Sequence, residues 1–190
     1  MPHAESPVLP ALLALQPLGH LPRSGWVLHG IAQPESVAAH VLGACHIVLA
    51  LGPRVRPEID VERCLALLAV HDAPEALIGD LPRGAARHLP QGAKARAEDS
   101  AALELLAPLS DLALELFAEY RGQETREARL ARLCDRLQMG VRLVGYRRQG
   151  LQGLDEFRAS IEALDGSEFS PAEALRREIL AAYGPAAPPC

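Results

Sequence analysis

Aromatic residues are scarce in this chain: 3 Phe, 3 Tyr and 1 Trp make up 4% of its 190 positions. A core built around large rings is excluded, and the task falls to Leu, Ala and Val, which suit helices packed at close approach. No segment alternates convincingly with period two, so no strand is expected and the fold class reads as all-α. Cysteine is equally sparse. Cys45, Cys64, Cys134 and Cys190 show no C-x-x-C spacing, and three of them sit in apolar helical runs. They read as buried free thiols, which suit a reducing, cytoplasmic setting.

Long apolar runs are also missing. No stretch reaches 18 uninterrupted apolar residues and no basic region leads into a signal-type core, so no membrane partner is expected. The net charge of −5 is modest, and the arginines are dispersed or interleaved with Glu. That pattern argues against a nucleic-acid duplex as partner and leaves room for a small phosphorylated ligand. With 49% hydrophobic and 23% charged residues, the chain is long and apolar enough for one globular domain.

Helical spacing recurs in residues 36–51, in 60–70 with Asp60 as N-cap, and in 94–106. Further helices are expected over 111–120, 125–148 and 154–164. Residues 8–18, broken by Pro10 and Pro17, read as a packed first helix. A last helix over about 170–183 opens on Ser170-Pro171-Ala172-Glu173, a capping box with proline at the first helical position. The intervening glycines and prolines mark turns, none long enough for an interdomain linker, and the tail from 184 to 190 reads as frayed.

His71-Asp72 closes one of the apolar runs. Neighbouring helical side chains point about 100° apart, so the pair can meet on one ion only where the helix ends or bends. Chance supplies such a dipeptide in roughly one chain of three or four of this composition, so its surroundings must carry the case. His40 on the 36–51 helix and Asp135 on the 125–148 helix complete two imidazoles and two carboxylates. That set suits a divalent transition metal with positions left open, and a helical bundle can direct all four inward. Glu75 and Asp80 follow on a turn bounded by Gly79 and Pro82, where a general acid or base would sit; capping by Asp80 is the alternative. His3, His20, His46 and His88 read as structural or surface residues. Glu98 and Asp99 fit a solvated helix face equally well, and Arg147-Arg148 suit a helix C-terminus.

The order His40, His71-Asp72, Asp135 resembles the HD-domain metal-dependent phosphohydrolases. Several strings are similar to the YfbR-like 5′-deoxynucleotidase branch: Arg23-Ser24-Gly25-Trp26-Val27-Leu28, Pro34 to His40, His71 to Leu81, Lys94 to Glu98, and Cys134-Asp135-Arg136-Leu137. The likeness runs from Leu12 to Ile161.

It implies a compact HD-domain helical bundle, a single domain over 1–190 with its core at about 12–165. It further implies hydrolysis of deoxyribonucleoside 5′-monophosphates by an enzyme that holds a divalent ion (Co, Mn, Fe, Ni, Zn or Mg) on His40, His71, Asp72 and Asp135. Glu75 would be the acid/base residue, Asp80 would touch the sugar hydroxyl, and Arg23 and Trp26 would grip phosphate and sugar. A second ion near Glu75, Asp80 and Leu81, and a homodimer, also follow from the resemblance. The other readings left open are an HD-type hydrolase of a different phosphoester or anhydride, oxidation at a two-iron site, and a nucleotide-sensing module without turnover. Two positions depart from the family pattern. Ala39 stands where an acidic residue commonly precedes the first ligand His, and His29 stands where Arg is common.

Overall fold

The computed structural model describes residues 8–184, the Arg83 side chain excepted. In chain order its α-helices are α1 (Val8–Ala14), α2 (Ser24–Leu28), α3 (Val37–Leu51), α4 (Val61–Val70), α5 (Glu75–Ile78), α6 (Arg83–Ala86), α7 (Ala93–Leu106), α8 (Asp111–Gly122), α9 (Arg126–Arg148), α10 (Asp155–Glu162) and α11 (Ser170–Tyr183). Among the described residues there is no strand, only an isolated antiparallel bridge between Pro22 and Ser36. The all-α reading holds. Cys190 and the tail beyond 184 lie outside the described residues, as does His3.

Contacts divide the chain into two units, each drawn from two stretches: 8–39 with 69–122, and 40–68 with 123–184. The chain passes from one to the other inside α3, inside α4 and after α8.

The first unit has a core of Ala73, Ala102, Leu105, Leu106, Ala113 and Phe117, with Val70, Ala76 and Leu15 packed against it. Alanines at 73, 102 and 113 let backbones come close, as the shortage of aromatics implies. Ala73 matters most here, because it lies between His71-Asp72 and Glu75 and is only 4% exposed. Its burial against α7 and α8 pins that turn.

In the second unit α9 carries the buried stripe Leu130, Leu133, Leu137 and Leu143 and packs on α10 and α11. Gly140 sets how near they come: a Cβ there would stand 2.9 Å from Ile179 Cγ2 and 3.1 Å from Ile161 Cδ1. The Thr125 side chain caps α9, accepting from the Ala128 amide at 3.1 Å. Asp60 does the same for α4, accepting from the Arg63 amide at 2.8 Å.

Two local expectations change. The first helix stops at Ala14 and continues as a 3-10 turn over Gln16–Gly19, because Pro17 cannot donate to the ladder. The capping box at Ser170 is not made. Phe169 is the cap residue, without a side-chain bond, and the Glu173 carboxylate is taken by Arg176 and Arg177. Those two arginines hold its pKa down at about 2.

By length and composition the segment Val37–Arg54 could cross a membrane. Within it Val37, Ala44, Val48 and Leu51 are buried and His40 is hydrogen-bonded on both ring nitrogens, which is how a core helix satisfies the same test.

Candidate metal centre

The residues expected at the site fall into two groups, one in each unit. In the first unit the chain leaves α4 at Val70 and tightens. Ala73 donates to the Val70 carbonyl at 3.1 Å and Glu75 to the Asp72 carbonyl at 3.0 Å, both three residues back. The tightening brings the adjacent pair together, with His71 Nε2 3.2 Å from Asp72 Oδ2. The His71 ring lies 4.8 Å from the Tyr120 ring, tilted at 48°, so α8 fixes its plane.

Arg23, at the start of α2, is set among three acids. Its guanidinium lies 3.4 Å from Asp72, 3.7 Å from Asp80 and 3.9 Å from Glu75. Asp80 Oδ2 accepts from the Ser24 amide at 2.6 Å and the Ser24 hydroxyl at 3.1 Å. Asp80 thus fulfils the capping alternative, at another helix's first turn, while remaining in the acid cluster. Gly79, at φ 77°, makes the turn that places it there. Leu81 follows outside any helix.

Trp26 is 2% exposed and its indole N–H donates to Glu35 Oε1 at 3.1 Å, while the Glu35 carbonyl accepts from the Arg23 amide. The indole is therefore an anchor that holds Arg23 in place, with its N–H already taken. His29 closes α2, its ring bonded to the Gly25 carbonyl at 2.8 Å.

Glu75 is strongly perturbed. Its carboxyl rises from an ordinary 4.5 to about 9, first because it is buried, then because Asp72 and Asp80 are close; Arg23 and His71 oppose the rise. Among the described residues its Oε2 is buried without a hydrogen bond. Between pH 4.5 and 9 the folded state then holds a proton that the unfolded chain has lost, so stability falls as pH rises through that window. Metal-free protein should show Tm decreasing from pH 5 towards 9, and Glu75→Gln should flatten the decline. Parallel curves for the two proteins in chelator would contradict the assignment.

In the second unit His40, on α3, is 1% exposed. Its Nε2 lies 2.7 Å from Asp135 Oδ1 and its Nδ1 is hydrogen-bonded to Gln138 Oε1. Asp135 and Gln138 are three apart on α9 and so share a face. A ring nitrogen and a carboxylate oxygen at this distance need a cation or proton between them. Ala39 is exposed on α3, its amide capped by Ser36; the partner of His40 is Gln138, a residue the sequence reading passed over.

The donor set fits a divalent ion. Within each unit an imidazole stands beside a carboxylate, the mixed N/O chemistry of Mn, Fe, Co, Ni or Zn. In the first unit three acidic side chains surround one guanidinium, oxygen donors of the kind a divalent ion takes. His20, His46 and His88 are exposed, Glu98 pairs with Arg121 and Lys94, and Arg147 lies over the Tyr183 ring. Cys64 and Cys134 are buried and Cys45 half-buried, all three as free thiols; burial pushes the Cys134 thiol far up.

The family model for the HD domain matches residues 15–172. The chain belongs to the HD-domain family. Among curated relatives, the 5′-deoxynucleotidase hdd1 of Schizosaccharomyces pombe is 31% identical over 160 residues, 79% of this chain and 78% of that protein. The 5′-deoxynucleotidase HDDC2 of Danio rerio is 33% identical, covering 76% and 73%. Of solved structures, a protein of Pyrococcus horikoshii aligns with TM-score 0.80 and 32% identity over 92% of this chain and 99% of its own. One from Magnetospirillum magnetotacticum, described as a predicted metal-dependent phosphohydrolase, aligns at 0.62 with 25% identity over 95% and 94%. The HD-domain match runs through both units.

Proposed function

We propose that this HD-domain protein is a metal-dependent phosphohydrolase that cleaves deoxyribonucleoside 5′-monophosphates to deoxynucleoside and phosphate. The observation that carries the proposal is Arg23 standing 3.4 to 3.9 Å from Asp72, Asp80 and Glu75. A phosphate-type cation and metal-type acids are built into one cluster, and the curated relatives quoted above are named 5′-deoxynucleotidases.

His40, His71, Asp72 and Asp135 are the residues that would hold one divalent ion. When bound, such an ion lowers the pKa of water to about 7 and neutralises phosphate charge. Arg23 binds phosphate oxygens through its planar fork, a geometry that Lys lacks. Glu75 is the acid/base group: its carboxyl gives its proton to the departing 5′ oxygen as the P–O bond breaks and takes one back from the attacking water as the new P–O bond forms. Asp80 ties α2 to the acid turn through Ser24 and offers its second oxygen, on the Arg23 side, to a sugar hydroxyl. Trp26 and Glu35 keep Arg23 in register.

Phosphate release from a panel of 5′- and 3′-nucleotides, by protein stripped with chelator and reloaded with Co²⁺ or Mn²⁺, tests this. Release from 5′-deoxynucleotides only when metal is present is expected. No release from any monophosphate by the metal-loaded protein would overturn the proposal.

A further inference from the structure

A histidine ligand binds a cation through one ring nitrogen only if the other is held protonated, and a hydrogen bond to that other nitrogen decides which is which. His40 is bonded at both. Its Nε2 faces Asp135 Oδ1 at 2.7 Å, and its Nδ1 meets the carbonyl oxygen of the Gln138 amide. That oxygen can only accept, so Nδ1 must carry a proton; the Asp135 carboxylate oxygen also only accepts, so Nε2 carries either a second proton or, when one is bound, the cation. Both side chains are buried, at 1% and 6% exposure, so water does not compete freely for the ring.

The space for this amide comes from Gly43, one turn along α3 from His40. A Cβ at Gly43 would stand 2.9 Å from both Gln138 Cγ and Gln138 Nε2, and 3.3 Å from Cδ. An alanine there would press on the whole amide. Two residues three apart on α3 and two residues three apart on α9 therefore form one device: ligand and gap on one helix, carboxylate and amide on the other.

We infer that Gln138 is a positioning residue that fixes His40 as the Nδ1–H tautomer with Nε2 as metal donor, and that Gly43 is the gap that admits it. The inference rests on His40 being a ligand, as proposed above, but the tautomer of the metal-loaded protein can be read without nucleotide or turnover. His40 is thus oriented from α9 rather than from its preceding residue, Ala39.

The test uses the isotope-labelled full chain loaded with Zn²⁺, a diamagnetic ion, with long-range proton–nitrogen correlation of the imidazoles to show which His40 nitrogen carries the proton and which the ion. Co²⁺ titration followed by visible absorption supplies the second readout. Wild type and Gln138→Glu should keep the His40 proton on Nδ1, and Gln138→Leu should lose that preference. The Co²⁺ dissociation constant should rise about 10- to 100-fold in Gln138→Leu and Gly43→Ala and stay within about threefold in Gln138→Glu. A wild-type His40 protonated at Nε2 overturns the inference, as does a Gln138→Leu protein that binds Co²⁺ like wild type or a Gln138→Glu protein as impaired as Gln138→Leu. Should Gln138→Leu fail to fold, the wild-type tautomer and Gly43→Ala still decide. Absent phosphate release with the tautomer pattern intact would remove the substrate assignment and leave this one standing.

Discussion

Glu75→Gln should lower the rate of phosphate release by about a thousandfold, within the range of about 10² to 10⁴ that general acid–base catalysis contributes, while Co²⁺ binding persists. Two features of the cluster set this expectation. Burial and the neighbouring Asp72 and Asp80 lift the Glu75 carboxyl to about 9, so its proton is held at neutral pH and is available for transfer. Its Oε2 is also buried with no hydrogen bond among the described residues, the Arg23 guanidinium standing 3.9 Å away. Gln keeps the shape and cannot exchange a proton. Asp72→Asn should instead lose both cation and turnover, because Asp72 lies 3.2 Å from His71 Nε2. Equal loss of Co²⁺ from both variants would make Glu75 a ligand of the principal ion, and a near-normal rate for Glu75→Gln would remove it from the chemistry.

The long helices were legible because each repeats its apolar spacing over several turns. α4, α7 and α9 begin within a residue of where periodicity and caps place them. α2, α5 and α6 are four or five residues long, too short to show a period, so no helix was expected at Arg23 or Glu75. The His71-Asp72 convergence was foreseeable from the limits of helix geometry, and the three-residue hydrogen bonds after Val70 supply it. The burial of Trp26 was not foreseeable, since nothing local says whether an indole lines a pocket or anchors a helix. Gln138 left no trace either. An amide is ordinary on a helix, and its meaning appears only when His40 and Gly43, 98 and 95 positions away, are found beside it.

Arg23→Met should cut kcat/KM for a 5′-deoxynucleotide by about 10² to 10³, the scale of losing one preorganised charged donor at a developing phosphate charge. The direction of its effect on metal is what makes the experiment informative. Arg23 is the cation among Asp72, Glu75 and Asp80, and it competes for the same carboxylate oxygens that a divalent ion would use. Removing it leaves three acids without that neighbour, which should strengthen Co²⁺ binding while phosphate binding fails. The same loss should raise the Glu75 pKa further, because Arg23 is the larger of the two groups that hold it down. Steady-state kinetics beside a Co²⁺ titration separate these effects. Tighter Co²⁺ with weaker turnover identifies Arg23 as the phosphate anchor. Parallel loss of both would mean that Arg23 serves mainly to hold α2 against the acid turn, a role already shared by Ser24 through its two bonds to Asp80. Arg23→Lys should recover only part of kcat/KM, since an ammonium restores the charge without the planar two-point grip.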